Sequence, residues 1–250
     1  MKKGKKVILF FVFIFSISML YMLYYFYDAY KEKKLYANLL DTIKIEQQEI
    51  GETKTERMLQ VEQLKKENSD IVAWLEIEGT NINYPVLQGS DNEYYLTRNY
   101  KKEKTNSGSL FLDKDYDFTI PSSNLLIYGH RTKKKIMFED LIKYKEESFY
   151  QHHPNIRFTT IEEDSIYEII AVFYGRVYYQ DEKDVFRYYY FINAKNEEEY
   201  NKFVSNAKKE SIYDTGKTAK YGEQLLTLST CEYSQKDGRF AVVAKKRNYD

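Results

Sequence analysis

The sequence predicts a mainly β protein: a closed barrel of about eight short strands, preceded by helices and one membrane-spanning segment. Three observations carry this. From residue 70 onward, β-prone runs recur at 71–77, 82–87, 109–112, 125–128, 156–160, 167–177, 225–230 and 240–244. Before residue 70 the apolar spacing is helical, and nearest the amino terminus the chain is apolar on every side. Hydrophobic residues make up 43% and aromatic residues 17% of the 250, enough for one packed domain with an appendage and too many for a disordered chain.

Residues 1–6 form a basic tail with Lys2, Lys3, Lys5 and Lys6 and no acid, and residues 7–27 are apolar apart from Ser16, Ser18 and the tyrosines. About twenty such residues at 1.5 Å each span a hydrocarbon core of roughly 30 Å, whereas a secretory leader core has about 7 to 15. The exit, Tyr25-Phe26-Tyr27-Asp28-Ala29-Tyr30, lacks a small-residue cleavage site, so 7–27 is expected to be an uncleaved anchor. The lysine tail favours a cytoplasmic amino terminus, which puts the remainder outside the cell; Lys31, Lys33 and Lys34 weaken the asymmetry. Residues 28–67 then read as a stalk helix and a second, docking helix, divided near Gly51 and Thr53, and 68–250 as the barrel domain. The heptad pattern does not last long enough for a sustained coiled coil.

Two helical insertions interrupt the strands. Residues 137–150 place Phe138, Leu141, Ile142 and Tyr144 at helical spacing. Residues 196–211 open with Asn196 as a cap, followed by Glu197, Glu198 and Glu199 where the helix dipole favours acids. The second insertion lies within a long connection, 178–222, ahead of the strand at 225–230. Its aromatic run, Phe186, Tyr188, Tyr189, Tyr190 and Phe191, suits a groove wall.

Several functions are disfavoured. Lys+Arg and Asp+Glu both number 38, and no long basic block lies outside the amino terminus, which argues against nucleic-acid binding. Asp113, Asp115 and Asp117 begin like a calcium loop, but Phe118 and Asn124 stand where glycine and glutamate are required. One cysteine and three histidines lack paired zinc spacing, and the 10 glycines form no phosphate-cradling motif. No metal or cofactor is called for. The 26 tyrosines suit half-buried strand positions.

The candidate site gathers around Cys231. It ends one β-prone run, and Arg239 begins the next, with the turn signal Asp237-Gly238 between them. A hairpin there brings thiol and guanidinium to one end of a sheet. A lone cysteine is commonly a buried hydrophobe, but nucleophilic catalysis needs a thiol with an acid or base, and a histidine is suitably placed. His130 follows Leu125-Leu126-Ile127-Tyr128 and Gly129, so it too leaves a strand at a bend. His152 and His153 sit before Pro154 in a polar segment that reads as a solvated turn.

Thr227-Leu228-Ser229-Thr230-Cys231 with Arg239, and Tyr128-Gly129-His130, resemble the active-site motifs of sortases. Asn68-Ser69-Asp70-Ile71-Val72-Ala73-Trp74-Leu75, Tyr84-Pro85-Val86, Gly108-Ser109-Leu110-Phe111-Leu112-Asp113 and Met137-Phe138 point to class B rather than class A, and the resemblance covers 68–247. It implies a membrane-anchored cysteine transpeptidase of Gram-positive bacteria with a sortase-like barrel. Such an enzyme cuts a sorting signal near the carboxyl end of a secreted protein after threonine and joins it to a peptidoglycan or pilin amine. Cys231 is then the nucleophile, His130 the general acid and base, and Arg239 the group that holds the oxyanion and orients substrate. Asn92, Leu96, Tyr128, Ser229 and Glu232 are the implied substrate contacts, and Asn-Pro-x-Thr or Ser-Pro-x-Thr the implied signal. A cysteine peptidase hydrolysing the same signal and a non-catalytic tethered barrel that binds peptides are the alternatives left open.

Overall fold

The computed structural model describes residues 2–45, 55–120, 122–132, 134–231, 233 and 236–247. The chain divides into two units, Met1–Glu49 and Ile50–Asp250. Among the described residues the first holds a single helix, α1 (Lys2–Ile45), with no break where the anchor was expected to end. Its stretch Gly4–Leu39 holds an 18-residue window of mean hydropathy 2.5, so it is long and apolar enough to cross a bilayer. The division expected near Gly51 and Thr53 lies outside the described residues.

The second unit opens with α2 (Glu56–Glu67), capped by Thr55, whose hydroxyl accepts from the Met58 N–H at 3.4 Å. Met58, Val61 and Leu64 are buried. The Arg57 guanidinium lies 4.9 Å from the Trp74 ring centre and 3.0 Å from Glu76, which fixes α2 against the first strand.

Eight strands close a barrel among the described residues: β1 (Ile71–Glu76), β2 (Asn83–Leu87), β3 (Leu110–Leu112), β4 (Asn124–Tyr128), β5 (Asn155–Thr159), β6 (Asp164–Arg176), β7 (Leu225–Cys231) and β8 (Gly238–Lys246), in the order β1-β2-β3-β4-β7-β8-β6-β5. Closure removes the exposed edges that short strands would otherwise present. The β2–β3 and β4–β7 pairs are parallel; the others are antiparallel. Sequence expectation and structure agree on every strand to within a few residues. The largest difference is at β6, which starts at Asp164 rather than Tyr167. Its polar first residue is held in register by Arg157 and Thr159 of β5, whose side chains donate to the Asp164 carboxylate at 2.8 and 2.9 Å.

The expected helix at 137–150 is instead a tight 3₁₀ stretch, Phe138–Lys145, followed by α3 (Glu147–His152). The second insertion does hold a helix, α4 (Glu197–Glu210), and Asn196 caps it by accepting from the Glu199 N–H at 2.9 Å. Tyr200, Phe203, Val204 and Ala207 of α4 pack with Phe191 onto Leu126, Phe173, Leu225, Ala241 and Val243 of the barrel wall. Strand alternation explains which side this is. Leu225, Thr227, Ser229 and Cys231 share one face of β7, and their register partners Asn124, Leu126 and Tyr128 and then Arg239, Ala241 and Val243 continue it. This face points out of the barrel toward α4. Both faces of β7 are therefore covered, and only its last residue is partly exposed.

Candidate active site

Parallel pairing of β4 and β7 sends both strands out of the barrel at the same end. Tyr128 is the partner of Ser229, so His130 and Cys231, each two residues on, leave at the same level. Two bonds hold the exits together: the Gly129 N–H donates to the Ser229 carbonyl at 3.2 Å, and the buried Thr230 hydroxyl donates to the Gly129 carbonyl at 2.8 Å. Gly129 must be small. A Cβ there would stand 2.4 Å from Leu110 and 2.6 Å from Phe138.

On the other side of Cys231, β7 and β8 form the expected hairpin. Cys231 and Arg239 are register partners, and Asp237 takes a positive φ of 57° in the turn. Arg239 is flanked on its far side by Gly175 of β6. One of its N–H groups donates to the Gly238 carbonyl at 2.9 Å, which orients the planar fork. Cys231 is half-buried and unpaired with any other cysteine.

Cys231, His130 and Arg239 line one cleft of about 230 Å³. Asn92, Leu96, Tyr128 and Ser229 line it too, so four of the five expected substrate contacts surround the thiol; the fifth, Glu232, lies outside the described residues. His152 and His153 belong elsewhere, on another pocket beside α3. The solvated-turn reading fits them only in part. His152 is exposed and bonds the Ser148 carbonyl at 2.7 Å, but the His153 ring packs on Phe149 at 4.6 Å.

The aromatic run was expected to wall a groove, but sequence reasoning assigned no role here to Asp113 or Val177. Asp113, in the motif read as a failed calcium loop, is buried and accepts from Asn92 Nδ2 at 2.9 Å and from the Tyr128 hydroxyl at 3.0 Å. It thereby fixes two candidate substrate contacts at once. Burial, and then the Asp113 carboxylate, push the Tyr128 phenol well above its ordinary value, so it stays a neutral donor. Tyr188 reaches under the cleft to share a 2.8 Å hydrogen bond with Ser229 Oγ. Val177 and Tyr189 complete the wall. Of the aromatic run expected to form a groove wall, Tyr189 lines the cleft, whereas Tyr188 is buried beneath it and Phe191 is buried against Phe203 of α4. The separation of Asp113 from Asn92 and Tyr128 in sequence hid its role.

A family model described as the sortase domain matches residues 75–247. Sortase B of Staphylococcus aureus is 34% identical to this chain over 188 residues, 74% of either protein. Sortase B of Listeria monocytogenes is 35% identical over 187 residues, covering 73% of this chain and 72% of the relative. Among solved structures, Bacillus anthracis sortase B in complex with AAEK1 superposes with a TM-score of 0.75 at 32% identity, covering 90% of this chain and all of that one. A Staphylococcus aureus sortase B–substrate complex gives 0.72 at 28% identity, over 87% of this chain and 95% of the other.

Proposed function

From the premise that the chain belongs to the sortase family, in its class B, we propose that it is a membrane-tethered cysteine transpeptidase. Its substrate is a secreted protein with a sorting signal near the carboxyl end, of the Asn-Pro-x-Thr or Ser-Pro-x-Thr kind. Its acceptor is an amine of peptidoglycan or of a pilin subunit. The observation that carries this reading is the joint position of Cys231 and Arg239 as register partners in the cleft that His130 also lines.

The chemistry follows from those three groups. Cys231 Sγ, as thiolate, adds to the threonine carbonyl carbon, and Arg239 donates to the oxygen that becomes negative. The peptide C–N bond then breaks. His130 gives its proton to the departing amine, leaving a thioester. The acceptor amine adds to the thioester carbon, His130 takes up its proton, and the C–S bond breaks to return the thiolate and release a new amide. Arginine does not act as the acid at neutral pH, which leaves that role to His130. Asn92, Leu96, Tyr128 and Ser229 hold the peptide, joined by Glu232 on the strength of the family resemblance. The helix α1 anchors the protein, with the lysine tail inside and the barrel outside the cell.

The test incubates the full chain in detergent micelles with candidate peptides and a short amine acceptor, and reads products by mass spectrometry. Expected are cleavage after threonine, transfer to the amine and, without acceptor, a thioester on Cys231. Hydrolysis alone despite acceptor would favour a peptidase. Binding without modification of Cys231 would favour a non-catalytic barrel, and preference for Leu-Pro-x-Thr-Gly would overturn the expected signal.

A further inference from the structure

His130 Nε2 lies 2.8 Å from the carbonyl oxygen of Leu96. A carbonyl only accepts, so Nε2 carries a hydrogen whether the ring is neutral or charged. The proton that His130 exchanges during catalysis must then sit on Nδ1. Such an arrangement works only if the carbonyl is held still, and the surrounding segment does hold it. Leu96 ends a 3₁₀ turn, Tyr94–Leu96, that is fastened on both sides by Ser109: its N–H donates to the Tyr95 carbonyl at 3.0 Å and its hydroxyl to the Arg98 carbonyl at 2.8 Å.

Gly108 sits directly against this segment. Its φ is +59°, and a Cβ there would stand 2.6 Å from the Tyr95 oxygen and 2.7 Å from the Leu96 oxygen. Both obstacles are backbone, so neither can rotate away as a side chain would. The backbone of His130 is fixed separately, through its carbonyl, which accepts from the Phe138 N–H at 3.0 Å. Displacing the Leu96 carbonyl would therefore leave the histidine in place and free its ring to turn.

We propose that Gly108 is a positioning residue that seats the Leu96 carbonyl against His130, fixing the Nε2–H tautomer and assigning proton transfer to Nδ1. The role assumes the transpeptidase reading above, but the tautomer can be read without turnover. Long-range ¹H–¹⁵N correlation spectra of the full chain, labelled at its histidines and taken at alkaline pH, distinguish the two neutral tautomers. His152 serves as an internal contrast, since its Nδ1 faces the Ser148 carbonyl at 2.7 Å and it should be the opposite tautomer. Signals are assigned with His130→Gln and His152→Gln.

Wild type is expected to show His130 as Nε2–H. Gly108→Ala should give mixed tautomers and a kcat lower by on the order of 10- to 100-fold with KM little changed. Gly108→Asn separates clash from backbone strain, because asparagine tolerates positive φ yet carries a Cβ. It should be as impaired as the alanine variant, and recovery of the tautomer and of kcat in it would overturn the proposal. So would an Nδ1–H tautomer in the wild type, which stands as a test even if neither variant folds. An inactive wild type with Nε2–H at His130 would instead sink the transpeptidase reading and leave the tautomer assignment standing.

Discussion

One outward face of the barrel wall has two halves with opposite character. In the lower half, Leu126, Leu225, Ala241 and Val243 are buried under α4 and the aromatic loop, and each polar group named there has a partner: Asn124 accepts from the Thr227 hydroxyl at 2.9 Å and donates to the Phe191 carbonyl at 2.7 Å. In the upper half, the same strands carry Tyr128, Ser229, Cys231 and Arg239 into a cleft. The change takes only two residues along β7, from Thr227 to Ser229. The difference lies in what covers the face, since the strands continue unbroken. Where α4 packs down, the face contributes stability; beyond it the same connection between β6 and β7 supplies Tyr188 beneath the cleft and Val177 and Tyr189 on its wall, and the strand side chains line open space.

The comparison breaks if residues of the two halves prove interchangeable in their effects. Cys231→Ala should reduce transpeptidation on the order of 10⁴-fold or more, while the thermal unfolding midpoint stays where it was. An unfolded variant would instead mean that the thiol belongs to the packing. Phe203→Ala, in the covered half, should do the reverse. Phe203 stacks on Phe191 with ring centres 4.1 Å apart, and its removal should cost about 3–5 kcal/mol in denaturant titrations, with turnover per folded molecule near wild type. The buried face of α4 means that deleting the whole connection would expose the wall, so single substitutions at Tyr189 are the better probe of peptide ranking. Arg239→Lys returns to the open half. An ammonium keeps the charge but loses the planar fork, so kcat should fall on the order of 10²-fold with stability unchanged.

The open half was far more legible in the sequence than the covered one. Cys231, Arg239 and His130 announce themselves because each stands at the end of a short β-prone run, where local pattern alone fixes its position. The cover is built from contacts distant in the chain. Asn124 and Phe191 meet across 67 residues, and Asn92 and Asp113 across 21, so no local window contains either pair. For that reason Asp113 read as part of a failed calcium loop, and the connection 178–222 read only as a groove wall, although one side of α4 together with Tyr188 and Phe191 is core and Tyr189 lines the cleft. The 3₁₀ stretch Phe138–Lys145 was missed for a related reason: its apolar residues suit helical spacing in general, and the Phe138 N–H to His130 carbonyl bond that sets where it begins is a tertiary contact.

The smallest expected effect tests the boundary itself, at Tyr188. Its ring is covered and packs against Gly175, where a Cβ would come within 3.1 Å, while its hydroxyl shares a 2.8 Å hydrogen bond with Ser229 at the floor of the cleft. Burial raises the phenol above its usual value of 10.0, with the Ser229 hydrogen bond and Arg239 opposing. Below pH 10 both folded and unfolded chains keep this proton, so the contribution to stability is fully present. As pH rises further, the unfolded chain releases the proton first, and stability is lost toward the folded value. Tyr128, Tyr144 and Tyr167 shift in the same direction, so the wild type should weaken steeply in alkali. Tyr188→Phe should cost about 1 kcal/mol at neutral pH for the lost hydrogen bond. Having one proton fewer to release, the variant should then approach the wild type in stability as pH passes 10. Denaturant titrations from pH 7 to 11, with kcat/KM on a sorting peptide at pH 7, measure both. Parallel stability curves would mean that Tyr188 titrates as an exposed phenol and the cover does not seal the floor. A loss in kcat/KM beyond about tenfold, larger than one neutral hydrogen bond supplies, would move Tyr188 from the cover into the reacting site.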